Sequence, residues 1–277
     1  MVGAGTMGHG IAQVFAQAGY DVKLNDVSSD FINGGIKRID GNLARSVEKG
    51  KLSQDEKKEI LSRIKPAQSI SDFSDRELVV EAALEKIDVK TDVFKKLDGT
   101  CSKSAILASN TSSIPITQLA AISSSNPSRV VGMHFFNPVP VMKLVEIVRA
   151  LQTSDETVAE IQEASKKLGK TAVVVKDSPG FISNRVLCPM INEAIFALEE
   201  GISSKEDIDT VMKLGMNHPM GPLELADFVG LDVVLDVLEV LYKEFQDPKY
   251  RAAPLLRSMV RAGYLGRKAK KGFYDYP

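Results

Sequence analysis

The stretch GAGTMGHGIAQVFAQAGYDVKLND, residues 3–26, decides how the chain folds. Gly3, Gly5 and Gly8 have the spacing of a dinucleotide-binding loop, with Thr6 and Met7 between them. In such a loop the first glycine permits a tight turn, the second lets backbone approach a pyrophosphate, and the third lets the next helix pack closely on a sheet. The helix is supported independently, because Ile11, Val14, Phe15 and Ala18 recur at i, i+3, i+4 and i+7 and Gly19 supplies a stop. Its N-terminus would face the phosphates. VKLND (22–26) then reads as a short strand ending in Asp26, an acid that can accept both ribose hydroxyls of an adenosine and would repel a 2′-phosphate. Glycines, helix, strand and acid in this order point to NAD rather than NADP. Taken alone, the glycines could serve only a turn.

A fingerprint of this kind should follow a buried strand, yet only Met1 and Val2 precede Gly3. The expectation is a native start upstream of this sequence; the other reading is a sheet built without most of its first strand. Further along, residues 28–64 read as two helices, with Ser28 or Ser29 capping the first and Ser53 with Glu56 forming a capping box for the second. Such a hairpin could grip a large ligand, with Lys37 as a phosphate contact, although its lysines read equally as solvated surface. Strand-like runs follow at AQSI (67–70), LVVEAA (78–83), AILASN (105–110) and RVVGMHFF (129–136), with an amphipathic helix over 87–98. This alternation predicts an α/β fold: a Rossmann-type, doubly wound, mostly parallel sheet. Ligands of such sheets bind outside the carboxyl ends of the strands, which gathers Glu81, Glu85, Ser109, Asn110, Ser112 and His134 at one edge.

The segment HFFNPVPVMKLVE (134–146) joins two apolar strands through a proline-rich turn. Period-two alternation puts His134 in line with Val130, Gly132 and Phe136, and Glu146 in line with Leu144 and Val148. A carboxylate in an apolar row is costly unless paired, and a Glu beside a His favours the protonated ring, as a general base requires. The residues alone leave open whether the pair is structural or catalytic.

A helix (154–169) and TAVVVK (171–176) close the first domain, set at 1–177. After KDSPGF the pattern becomes helical through 178–277, with Ser178 read as a cap and Pro179 as the first helical residue. Asn184 shares a helical face with Leu187, Cys188, Ile191 and Ile195, so its amide needs a partner, and Pro189 should kink the helix. LDVVLDVLEVLYKEF (231–245) is apolar around most of its circumference, which suggests a subunit interface and most simply a homodimer.

At 277 residues with a formal net charge of −1, the chain has room for two domains and no global field for nucleic acid or an anionic membrane. Cys101 and Cys188 have no metal-ligand spacing and suit a reducing compartment. No metal site is expected. No run of eighteen apolar residues and no signal peptide is visible, so a soluble, cytoplasmic protein is expected, with a mitochondrial address conceivable in a removed leader.

Together GAGTMGHGIAQVFA, VVEAALE, ASNTSSIPIT, GMHFFNPVPVMKLVEIV, DSPGFISNR, MGPLELADFVGLD and GFYDY resemble the 3-hydroxyacyl-CoA dehydrogenase family over essentially the whole chain. The resemblance implies a Rossmann domain for NAD, a helical dimerisation domain and an acyl-CoA substrate. It implies that His134 is the acid/base, Glu146 its orienting partner, and Ser112 and Asn184 contacts to the substrate oxygen. It also implies Asp26 at the adenosine ribose, with Glu85, Lys90, Asn110, Ser112 and Asn137 toward the rest of the cofactor. Two other readings stay open at this point: a related dehydrogenase of a free hydroxy acid, and a non-catalytic NAD-binding protein.

Overall fold

In the computed structural model, which describes residues 1–123 and 125–277, the chain forms two compact units, Met1–Asp177 and Ser178–Pro277. The first has the α/β architecture read from the alternation of strands and helices. Helix α1 (Thr6–Gln17) is followed by β1 (Val22–Leu24), α2 (Ser29–Glu48), α3 (Gln54–Ser62) and β2 (Ile64–Pro66). Ser28 caps α2 by accepting from the Phe31 N–H, and Ser53 and Glu56 form a reciprocal capping box on α3. Strands β3 (Leu78–Glu81), β4 (Ile106–Ser109), β5 (Val130–Phe135), β6 (Leu144–Arg149) and β7 (Thr171–Lys176) pair in that order. All these pairings are parallel except β5 with β6. Between β3 and β5 the chain crosses over through α4 (Ile87–Thr100) and α5 (Ile116–Ile122), and α6 (Asp155–Lys167) connects β6 to β7. Every residue of β5 is buried, as a strand covered on both faces requires.

One expectation is corrected at the level of the first unit's elements. The strand expected at 67–70 lies earlier, at Ile64–Pro66, where it pairs with β1. The reason is local: the Asp72 carboxylate accepts the Gln68 and Ser69 N–H groups at 2.8 and 3.1 Å and winds a 3-10 turn over Ile70–Phe73, so those amides are spent outside a ladder. Val2 bridges in parallel to both Asn25 and Glu81, and so joins the β1–β2 pair to the five-stranded ladder.

The second unit has its own apolar core, and its helices include α7 (Ser183–Glu199), α8 (Lys205–Thr210), α9 (Pro222–Val229), α10 (Leu231–Phe245) and α11 (Pro254–Arg261). Helix α7 does not start at Pro179. Gly180 and Phe181 have φ of 74° and 51°, a left-handed pair that cannot continue a helix, and Phe181 N–H instead closes a turn onto the Ser178 carbonyl. Pro189 lies inside α7. The apolar face of α10 is satisfied within its own unit, where Leu231, Val234, Leu238 and Leu241 are fully buried. Among the described residues, no helix is long and apolar enough to cross a membrane.

Candidate active site

The glycine loop has the geometry that its spacing demands. Gly3 has φ of 95°, and a Cβ there would meet the Ala82 carbonyl at 2.4 Å; a Cβ on Gly8 would lie 1.9 Å from the Gly3 carbonyl oxygen. At Gly5 the space is open, with no atom within 4 Å of where a Cβ would stand, and Gly5 caps α1 without a side chain. Gly5 and Thr6 are exposed and Met7 is half-buried, so the first turn of α1 presents backbone N–H groups to a ligand. Asp26 is fixed on both oxygens, Oδ2 accepting from Ala4 N–H at 2.6 Å and Oδ1 from Val27 N–H at 2.7 Å. Gly3, Gly5, Asn25, Asp26, Val27 and Phe31 line one side of a cavity of about 1270 Å³. An open glycine, an uncapped helix start and an oriented carboxylate beside a cavity of this size fit the adenosine and pyrophosphate of a dinucleotide.

Arg38 adds a contact that the sequence does not announce: its guanidinium donates to the Ala4 carbonyl at 2.8 Å and places a cation on this loop. A basic residue on a polar helix gives no sign of such a contact. Lys37, its neighbour, is exposed on α2.

His134 and Glu146 are direct partners in the antiparallel β5–β6 register, and His134 Nδ1 lies 2.9 Å from Glu146 Oε2. Both are buried, at 8% and 2% exposure, and Phe136 packs against the imidazole with ring centroids 4.9 Å apart. Burial removes water that would compete for the carboxylate, so the ring nitrogen it faces is held in one orientation. Asn110, at the end of β4, accepts from the Phe135 N–H at 2.9 Å and so ties its strand to the residue after His134. The loop between β5 and β6 is clamped by Lys170, whose ammonium donates to the Val139 and Met142 carbonyls at 2.7 and 2.6 Å. Burial pushes the Lys170 ammonium below its usual range. Asn137, in the same loop, is exposed.

The ends of β3 and β4 carry a second cluster. Glu81 is fully buried; its Oε1 accepts from Lys90 at 2.7 Å and from Ala83 N–H at 2.6 Å, and its Oε2 accepts the Ser109 hydroxyl at 2.6 Å. The Lys90 ammonium is 1% exposed and also lies 3.2 Å from Glu85 Oε2. Glu85 Oε1 accepts from the Thr111 hydroxyl, from the Ser112 and Ser113 N–H groups at 2.9 and 3.1 Å, and from the Ser113 hydroxyl at 3.0 Å. Burial works against the charged form of Glu85, but the Lys90 ammonium and these hydrogen bonds outweigh it and hold the carboxyl below its usual range. Thr111 has no distinguishing signal in the sequence, since a cluster of Ser and Thr after a strand signals only a turn. Glu81 gives a stronger signal, since a carboxylate closing the run LVVE must find a partner.

In the second unit Asn184 is half-buried in the first turn of α7, with its N–H on the Gly180 carbonyl at 3.0 Å. The face expected to surround its amide is apolar further along, at Cys188, Ile191 and Ile195.

Comparison with known proteins gives the family. The 3-hydroxyacyl-CoA dehydrogenase NAD binding domain matches residues 1–178, and the C-terminal domain of the same family matches residues 180–276. A probable 3-hydroxybutyryl-CoA dehydrogenase of Bacillus subtilis is 54% identical over 276 residues, covering 100% of this chain and 96% of the relative. A 3-hydroxybutyryl-CoA dehydrogenase of Clostridioides difficile is 51% identical, covering 100% and 98%. The crystal structure of (S)-3-hydroxybutyryl-CoA dehydrogenase PaaH1 from Ralstonia eutropha superposes with a TM-score of 0.97 at 54% identity, covering 100% of this chain and 97% of that one. The two matched domains and the full-length likeness establish that the chain belongs to the 3-hydroxyacyl-CoA dehydrogenase family and is an NAD-dependent oxidoreductase.

Proposed function

We propose that the protein interconverts (S)-3-hydroxyacyl-CoA and 3-ketoacyl-CoA thioesters, with the four-carbon pair 3-hydroxybutyryl-CoA and acetoacetyl-CoA as substrates. The observation that carries this reading is the buried hydrogen bond between His134 and Glu146, in a chain similar over its full length to enzymes named for that substrate. Bound NAD supplies the acceptor for the hydride leaving C3. The chain's own residues handle the proton. With Nδ1 held by Glu146, His134 takes the 3-hydroxyl proton on Nε2, and Glu146 stabilises the imidazolium that forms. Ser112 and Asn184 donate hydrogen bonds to the substrate oxygen as charge develops on it. In the reverse direction protonated His134 returns the proton to the 3-keto oxygen.

Asp26 holds the adenosine ribose, and Glu85, Lys90, Asn110 and Asn137 serve the remainder of the cofactor site, Lys90 through Glu85. Lys37 is available to a coenzyme A phosphate because it is exposed. We further propose a homodimer built on the second unit, where Val186, Ile202, Val211, Leu214 and Met216 are apolar and exposed. Sedimentation of the purified chain as a monomer would contradict the dimer.

The decisive experiment follows NADH absorbance with acetoacetyl-CoA, for the wild type and His134→Ala. General acid/base assistance is worth roughly 10²–10⁴ in rate, so the variant is expected to lose at least a hundredfold in kcat while its NADH affinity stays close to wild type. Normal turnover by the variant ends the mechanism. Turnover of free hydroxy acids without turnover of acetoacetyl-CoA assigns the protein to a related dehydrogenase, and turnover of neither marks a non-catalytic NAD-binding protein.

A further inference from the structure

The bonds around the ends of β3 and β4 close on themselves. Glu81 accepts from Ser109, the Ser109 oxygen accepts from Thr111 N–H at 3.2 Å, and the Thr111 hydroxyl donates to Glu85. Glu85 pairs with Lys90, and Lys90 returns to Glu81. This ring encloses the turn that carries Ser112. Four donors converge on one oxygen of Glu85, and two of them are the backbone N–H groups of Ser112 and Ser113. Thr111 is buried, and its oxygen also accepts from the Ser113 and Ile114 N–H groups at 3.3 and 2.9 Å. The backbone from which the Ser112 hydroxyl projects is therefore fixed from both sides.

We infer that Thr111 and Glu85 are positioning residues for Ser112, and that the buried Glu81–Lys90 pair holds Glu85 at the height the turn needs. The inference rests on the proposed role of Ser112 at the substrate oxygen and deepens it. Two carboxylates flank one ammonium, whose three N–H donors serve both at 2.7 and 3.2 Å, so the position of Lys90 is tied to that of each carboxylate. The backbone N–H of Ala83 fixes one, and the 111–113 turn fixes the other. A ring of hydrogen bonds in a low-dielectric setting is cooperative, so loosening one member loosens the turn.

The test is a double-mutant cycle on the full-length protein with acetoacetyl-CoA and NADH. Thr111→Val keeps the shape of the side chain and removes both its donor and its acceptor. Displacing a substrate-positioning group by an ångström costs as much as about a hundredfold, so Thr111→Val is expected to lower kcat about tenfold or more. NADH affinity, read by fluorescence, should stay within about twofold, and Thr111→Ser should restore kcat. In a Ser112→Ala background the same Thr111→Val change should lower kcat by less than about twofold, because the group it positions is gone. Wild-type kcat in Thr111→Val, or an equal loss in both backgrounds, overturns the inference. If Thr111→Val does not fold, Glu85→Gln replaces it with kcat read at saturating NADH and without the affinity readout, because Glu85 also serves the cofactor site; wild-type kcat or an equal loss in both backgrounds counts against the inference in the same way. Wild-type turnover of acetoacetyl-CoA is measured first, so that failure of the substrate assignment is told apart from failure of the positioning role.

Discussion

Asp26 gives one oxygen to the loop residue Ala4 and the other to its own turn at Val27, so its charge is aimed by the backbone rather than by rotamer choice. A phosphate about 4 Å from a carboxylate is repelled by roughly 1 kcal/mol at the dielectric of bulk water and roughly 4 kcal/mol at that of a protein surface, per unit charge, and about 1.4 kcal/mol is tenfold. Asp26→Ser is therefore expected to move the ratio of kcat/KM for NADPH over NADH by about tenfold or more toward NADPH. An unchanged ratio would show that something else reads the 2′ position. At this scale the sequence was informative where chemistry forces a pairing. An acid in an apolar strand twelve positions from a histidine points to a dyad, and the His134–Glu146 register supplies it. It was silent where a common residue does uncommon work. Nothing about Thr111 or Arg38 in the chain announces that one hydroxyl holds a turn, or that one guanidinium reaches a loop carbonyl.

Elements were legible through periodicity and caps, and least so where short-range polar contacts overrule them. α2 and α3 begin where Ser28 and Ser53 cap them, whereas Asp72 takes over the amides of 68–69 and Gly180–Phe181 delays α7. Such contests depend on side-chain geometry that propensity does not carry. Asp98, on α4, shows how much one polar contact can hold. Its carboxylate accepts from Ser123 at 2.5 Å, from the Ser125 hydroxyl at 2.6 Å and from Arg129 at 2.8 Å, linking α4 to the end of α5 and the entry to β5. Burial opposes its charge, but these hydrogen bonds prevail and bring its pKa down to about 2. A carboxyl lowered on folding stabilises the native state above its unfolded pKa near 3.9 and loses that contribution as pH falls through the folded value. Urea titrations should therefore show about 2 kcal/mol lost from this group between pH ~4 and ~2. Asp98→Asn should lack that component, and an identical acid profile in the variant would discard it.

At the scale of the whole chain, the alternation of strands and helices was enough to read the Rossmann-type sheet, because β4 and β5 are mostly apolar and are buried along their whole length. Part of the apolar circumference of α10 has a simpler use: a small helical unit must surround its central helix, and Leu231, Val234, Leu238 and Leu241 go into that core, while Val233 and Tyr242 stay exposed. The glycine loop adds something that neither pattern nor packing expresses, namely how selection is divided along the chain. Gly3 and Gly8 are held by contacts within the protein itself, so a side chain there is rejected whether or not a ligand is ever met. Gly5 has open space where its Cβ would be, so under the proposed function only the bound cofactor would constrain it. Gly5→Ala should therefore melt like wild type but lose most of the roughly 2.7 kcal/mol that NADH at a hundred times its Kd confers on the native state, whereas Gly8→Ala should lower the melting temperature of the ligand-free protein. A scan of variants scored once for abundance and once for activity would separate the two kinds of position: Gly5 would drift freely in the first and be barred in the second. If both glycines fail for abundance, that division is wrong. If it holds, the loop's mutational history is a record of two separate pressures, one exerted by the fold and one by the molecule it binds.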